Sequence, residues 1–218
     1  MNIIIQNNSV IKTAMEAINF EEALPMLILF TVIISSIRIF YLIRHKKPFV
    51  LYKELFFLMF LLYILTLFHI VTFQDNNYGT HNFIPFKEIL RYKIGTSGFL
   101  KNVVGNIVLF IPFGIFVSTI LKVKKIWLPL FLSLLATFTI EMIQLKIGGR
   151  TFDIDDIILN ILGGLLGYYL YHSLSAIIEK LPKFMKSSVF LNTLIIIIFV
   201  LMILYFSGVY KSFLGGVS

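Results

Sequence analysis

Apolar residues run along this chain in long blocks rather than in short alternations. Six blocks are long enough to cross a bilayer as helices: Leu24–Ile43, Leu55–Phe73, Val103–Leu121, Ile126–Leu145, Ile154–Tyr171 and Val189–Gly208. A spanning helix needs about 20 apolar residues, because lipid offers its backbone no hydrogen-bond partner outside the helix. The pattern therefore predicts an all-α, polytopic transmembrane helix bundle of about six spans. The fifth block starts on Asp155 and Asp156 and is the least apolar at its edge. Ahead of the first block, Val10, Ile11, Ala14, Met15 and Ile18 recur at helical spacing, as in a helix lying on a membrane surface or in a partly ordered arm. Glu16, Glu21 and Glu22, with no basic stretch before them, do not fit a signal peptide.

Composition agrees with the blocks. Of 218 residues 58% are hydrophobic and 14% charged, and the mean hydropathy is +0.92. A water-soluble domain of this size could not hide so much apolar surface. The absence of cysteine removes disulfides, thiolate metal sites and cysteine nucleophiles. A net charge of +8 does not point to nucleic acid, because the basic residues sit in the loops between apolar blocks. Eleven of the 19 Lys and Arg fall on one side, Arg44, Lys46, Lys47 and Lys53 among them. The positive-inside rule turns that side to the cytoplasm and both termini outward. Along the chain this gives an arm (1–23), a first span with a basic loop (24–54), a central membrane region (55–172), and a basic loop with a last span (173–218).

Polar residues inside the apolar blocks carry the functional signal. Asn102 and Asn106 open the third span on one helical face, Glu141 and Gln144 close the fourth, and Asp153, Asp156 and Asn160 open the fifth. These spans alternate in direction, so all three groups reach one height. At ~1.5 Å of rise per residue, Asn106, Glu141 and Asn160 lie within roughly 10 Å of the outer boundary. An ionisable side chain in hydrocarbon costs ~3 kcal/mol on insertion scales and usually faces a bundle interior or wet cavity.

Structural explanations compete for several of these residues. Asp153 has the position of an N-cap, and Asp155, off the polar stripe, would complement the helix dipole. Asn102 and Asn106 could be interhelical hydrogen-bond glue, and Arg150 a salt-bridge partner of Glu141 or the aspartates. Glu141, Asp156 and Asn160 are hardest to explain by structure alone. Gly163, Gly164 and Gly167 suit close helix packing, Pro112 should kink the third span, and His69 is a satisfied polar residue rather than a ligand. No nucleophile elbow, metalloprotease or phosphate-loop pattern is present.

Several separated motifs resemble the VanZ family of bacterial membrane proteins. They are Asn82-Phe83-Ile84-Pro85-Phe86; Asn102-Val103-Val104-Gly105-Asn106 running into Leu109-Phe110-Ile111-Pro112-Phe113-Gly114; Glu141-Met142-Ile143-Gln144; Asp153-Ile154-Asp155-Asp156; then Asn160 and Gly163-Gly164-Leu165-Leu166-Gly167. The resemblance covers roughly Leu55 to Tyr171, and the arm and first span are additions to the short family form. The family takes its name from an accessory protein that lowers susceptibility to teicoplanin, a lipid-bearing glycopeptide. The resemblance implies a cell-envelope role but supplies no mechanism.

Three functional expectations remain open on the residues. One is an envelope factor whose outer-leaflet polar cavity engages membrane lipid, a lipid-linked wall precursor or a lipoglycopeptide tail, lined by Asn102, Asn106, Glu141, Gln144, Arg150, Asp153, Asp156 and Asn160. The second is an intramembrane enzyme on a lipid phosphate or ester, with Glu141 and Asp156 as metal ligands or an acid–base pair. The third is a scaffold or transporter. No cofactor is expected.

Overall fold

A computed structural model describes residues 20–73, 81–147 and 151–206. Among them the architecture is all-helical, and each of the six apolar blocks of the sequence falls in one of the long helices. We number them α1 (Phe20–Arg44), α2 (Leu51–Phe73), α3 (Lys87–Arg91), α4 (Ser97–Leu121), α5 (Trp127–Ile147), α6 (Ile154–Lys180) and α7 (Ser188–Phe206). Four helices are long and apolar enough to cross a membrane: Leu51–His69 of α2, then α4, Trp127–Lys146 of α5, and α6. The remaining two apolar blocks are also helical, in α1 and α7, the latter with a shorter apolar stretch, Ser188–Leu201. Residues 1–19 of the N-terminal arm and Arg150 lie outside the described residues, whereas residues 20–23 belong to α1.

The chain divides into two units. One comprises residues 20–62 with 177–218, and the other is built on 63–176. In the first, the Arg38 guanidinium of α1 grips the Glu54 carboxylate of α2 with Nε and Nη2, at 2.7 and 3.2 Å. The backbone N–H of Tyr52, in the first turn of α2 where no intrahelical acceptor exists, donates to Asn192 Oδ1 of α7 at 3.0 Å.

The second unit holds the polar residues. Helix α4 begins with Thr96, whose hydroxyl accepts from Phe99 N–H, and passes through a π-helical turn at Leu100–Val104. It continues through Pro112 and stops at Lys122, which takes the left-handed conformation (φ 49°). Proline has no N–H to offer the carbonyl four residues back. Next to that break, the Tyr63 hydroxyl of α2 donates to Leu109 C=O at 2.6 Å.

Glycines set the contact between α4 and α6. A Cβ on Gly163 would stand 2.2 Å from Ile107 O, and one on Gly167 2.2 Å from Ile111 O. The partner residues advance together along both helices, so α4 and α6 run parallel with their backbones nearly touching, as small residues permit in membranes. Helix α5 runs antiparallel to α6. Ser133 faces Gly164, and Thr137 faces Asn160 one turn further along.

Candidate functional site

On α5 the residues facing the bundle are Ser133, Thr137, Glu141 and Gln144, spaced four, four and three apart and all buried. This is one polar stripe along an otherwise apolar helix. It meets α6 in order: Asn160 Nδ2 donates to Thr137 Oγ1 at 2.8 Å, and Glu141 Oε2 accepts from the backbone N–H of Asp153 at 3.1 Å. The Glu141 side chain, 2% exposed, thus satisfies a backbone donor just before α6. From α4, Asn106 Nδ2 donates to Asp156 Oδ1. Asn106, Thr137, Glu141, Asp153, Asp156 and Asn160 therefore form one layer drawn from three helices.

The predicted site residues are not equivalent. Asn106, Glu141, Asp156 and Asn160 are brought together, and Gln144 is buried on the same stripe of α5. Asn102 lies in the π turn and donates to Gly98 C=O of its own helix at 3.0 Å. Asp153 is the N-cap that its position predicts: Oδ1 accepts from Asp155 N–H at 2.9 Å and from Asn82 Nδ2 at 2.8 Å.

Asp155 is the residue that sequence reasoning undervalued. Its helix face turns outward two turns later, where Leu162 and Leu166 are 43% and 41% exposed, yet Asp155 itself is 1% exposed. The segment Asn82–Arg91 covers it. Phe86 N–H donates to Asp155 Oδ1, while Glu88 and Ile89 N–H donate to Oδ2 at 2.7 and 3.2 Å. Asn82 adds a short parallel bridge to the start of α6: its N–H donates to Phe152 C=O at 2.8 Å, and its C=O accepts from Ile154 N–H at 3.0 Å. Phe83 stacks on Phe152 with centroids 5.3 Å apart.

Phe86 adopts φ 66°, a left-handed conformation that a bulky side chain rarely takes and that is tolerated where surrounding bonds impose it. Here the bond from Phe86 N–H to Asp155 does so, and it leads the chain into α3. Beside the polar layer, the Asp155 carboxylate thus fastens a loop at the start of α6.

Burial raises the Asp153 carboxyl above the ordinary carboxylate range, against the lowering effect of the bonds from Asp155 N–H and Asn82. A raised carboxyl binds its proton more tightly in the folded protein. Its contribution to stability is therefore lost as pH rises from the ordinary aspartate value through the raised one. Asp153→Asn keeps a capping oxygen and removes the charge, so we expect near-unchanged thermal stability at pH 7 and a flatter pH profile between those limits. Asp153→Ala should cost ~1 kcal/mol through the lost cap. Thermal melts of both variants in detergent, taken across pH, check this.

Among the described residues, no group of three or more His, Asp or Glu is placed to hold a metal ion. The carboxylates face backbone N–H groups and amides instead.

An all-helical, multi-pass membrane protein, with a buried polar layer at one end of three central helices, is the class this architecture defines. The VanZ/LLP1 family matches residues 54–178. Over 114 residues the chain is 34% identical to Protein VanZ of Enterococcus faecium, a match covering 50% of this chain and 69% of that relative. The chain belongs to the VanZ family. No solved structure matches it.

Proposed function

We propose that this protein is a factor of the bacterial cell envelope that engages an amphiphile at the outer leaflet and contributes to teicoplanin-type lipoglycopeptide resistance or envelope homeostasis. The observation that carries the reading is the convergence of Asn106–Asp156, Glu141–Asp153 and Asn160–Thr137 at one end of α4, α5 and α6. A bundle that needed only stability would fill these positions with apolar side chains, because burying carboxylates costs more than packing their apolar equivalents. The charge balance of the loops turns this end outward, toward wall precursors and lipid-bearing antibiotics. The amphiphile is a lipid-linked wall precursor or the acyl tail of a lipoglycopeptide, its polar part held at the height of the layer.

The test is susceptibility at normal expression. Strains carrying Glu141→Gln, Asp156→Asn or Asn106→Ala should lose the protection given by the unaltered protein against a lipoglycopeptide. The response to a glycopeptide without an acyl tail should change less. Immunoblots of membranes show whether each variant accumulates. If all three variants accumulate normally and protect as well as the unaltered chain, the reading fails.

A further inference from the structure

Segment Asn82–Ile94 carries a feature that the amphiphile reading does not use. Its backbone is tied down through Asn82 and Asp155, but its large apolar side chains point away from the protein. Phe83 is 67%, Leu90 81% and Ile94 83% exposed, with Ile84 and Phe86 also exposed. Lys87, Arg91 and Lys93 alternate with them and are exposed as well, Arg91 pairing with Glu88 at 3.1 Å. Five bulky apolar groups on a loop of this length would be a liability in water. A loop without tertiary anchors could fold them inward, but the bonds from Phe86, Glu88 and Ile89 to Asp155 prevent it.

The position of the loop says what covers these groups. It lies on the face of α6 that carries Asp155; beyond the buried Leu159, that face turns outward at Leu162 and Leu166, two and three turns deeper. In a helix that crosses a bilayer, that face meets lipid. The loop is held against the first turn of α6, where that long apolar helix begins.

We infer that segment 83–94 is an interfacial membrane element: Phe83, Ile84, Phe86, Leu90 and Ile94 enter the headgroup–acyl boundary, and Lys87, Arg91 and Lys93 meet the phosphates of anionic lipids. Apolar groups buried at that depth with basic residues beside them are how peripheral segments hold to anionic membranes. The element forms a fixed apron around the polar layer, with Asp155 and Asn82 as its fastening. The inference does not depend on any amphiphile being bound.

The chain has a single tryptophan, Trp127, so a reporter can be placed cleanly. The full-length protein carrying Trp127→Phe with Phe83→Trp, and separately with Leu90→Trp, would be reconstituted into liposomes of phosphatidylcholine with or without phosphatidylglycerol. The expected result is a blue-shifted emission, quenched by lipids brominated high on the acyl chain and poorly quenched by aqueous iodide. Adding phosphatidylglycerol should deepen the quenching, and Lys87→Gln, Arg91→Gln and Lys93→Gln together should abolish that dependence. Emission at the wavelength of tryptophan in water, open to iodide and unaffected by brominated chains at both positions, would overturn the inference. Quenching by brominated chains that is equal with and without phosphatidylglycerol would overturn the phosphate contacts. Circular dichroism confirms that each reporter protein is folded, and the two reporter positions give independent readings.

Discussion

Replacing Asp155 by Ala is expected to detach the Asn82–Arg91 loop from the end of α6 while leaving the helices below it formed. Its carboxylate accepts three backbone N–H bonds, from Phe86, Glu88 and Ile89, and it is almost wholly buried. Removing a buried acceptor leaves each donor with a desolvation penalty of about 1–3 kcal/mol. Three such donors cannot stay in place at that cost. The loop has an escape, because it is peripheral and can lift away to regain water, so the loss is limited to the stability of its attachment, about 3 kcal/mol or more. Phe86 would then be held only through its C=O, which accepts from Leu90 N–H at 3.0 Å, and is expected to leave its left-handed conformation.

Limited trypsin digestion checks this directly, since Lys87 and Arg91 lie within the released segment. The unaltered protein should resist cleavage there, and Asp155→Ala should be cut at enzyme concentrations that spare α4, α5 and α6. Asp155→Asn keeps one acceptor oxygen, and its amide nitrogen faces donors rather than acceptors, so an intermediate cleavage rate is expected. Equal resistance of all three proteins would show that the loop is held by Asn82 and its bridge to the start of α6 instead.

The contrast between Asp155 and Asn106 shows what was readable from the chain and what was not. The helices followed from apolar block length, and the common height of Asn106, Glu141 and Asn160 followed from helix rise and alternating direction. Those are local rules applied to long elements, where they work best. Thr137 and Ser133 are within reach of the same rule, because they continue the Glu141 stripe at spacings of four; a hydroxyl, which can bond its own helix backbone, is a weaker signal than a carboxylate. Asp155 was not within reach. Its partners lie 66 to 69 residues earlier, in a loop whose path depends on a left-handed phenylalanine. A helical wheel assigned its face correctly but could not show that a loop covers it. The π turn that holds Asn102, and its bond to Gly98 C=O, likewise have no signature in the apolar pattern.

Gly163→Ala and Gly167→Ala are expected to be severely damaging single-methyl additions in the central helices, as is Gly114→Ala on the facing helix, whose Cβ would stand 2.1 Å from Gly164 O. A Cβ at Gly167 would stand 2.2 Å from Ile111 O and 2.9 Å from Gly114 Cα, and one at Gly163 2.2 Å from Ile107 O. The obstacles are backbone atoms of α4, so no rotamer change relieves the clash, and the two helices must part. Overpacking of this kind costs about 1–3 kcal/mol, with the upper end expected because close Cα–H···O contacts between the helices are lost as well. Gly105→Ala supplies the control, since its Cβ would meet Leu100 O at an ordinary 3.5 Å. It should be neutral or slightly stabilising, as alanine is the better helix former. Thermal stability in detergent, followed by size-exclusion chromatography, should rank Gly105→Ala at or above the unaltered protein and both other variants well below it. The double variant should lose less than the two losses added, because either methyl alone already separates the helices. The same spacing sets the reach of Asn106 to Asp156 across the α4–α6 contact. Gly163→Ala protein that still reaches the membrane should therefore behave in susceptibility assays like Asn106→Ala. Full protection by a Gly163→Ala protein of lowered stability would mean that the polar layer tolerates separation of the helices that build it.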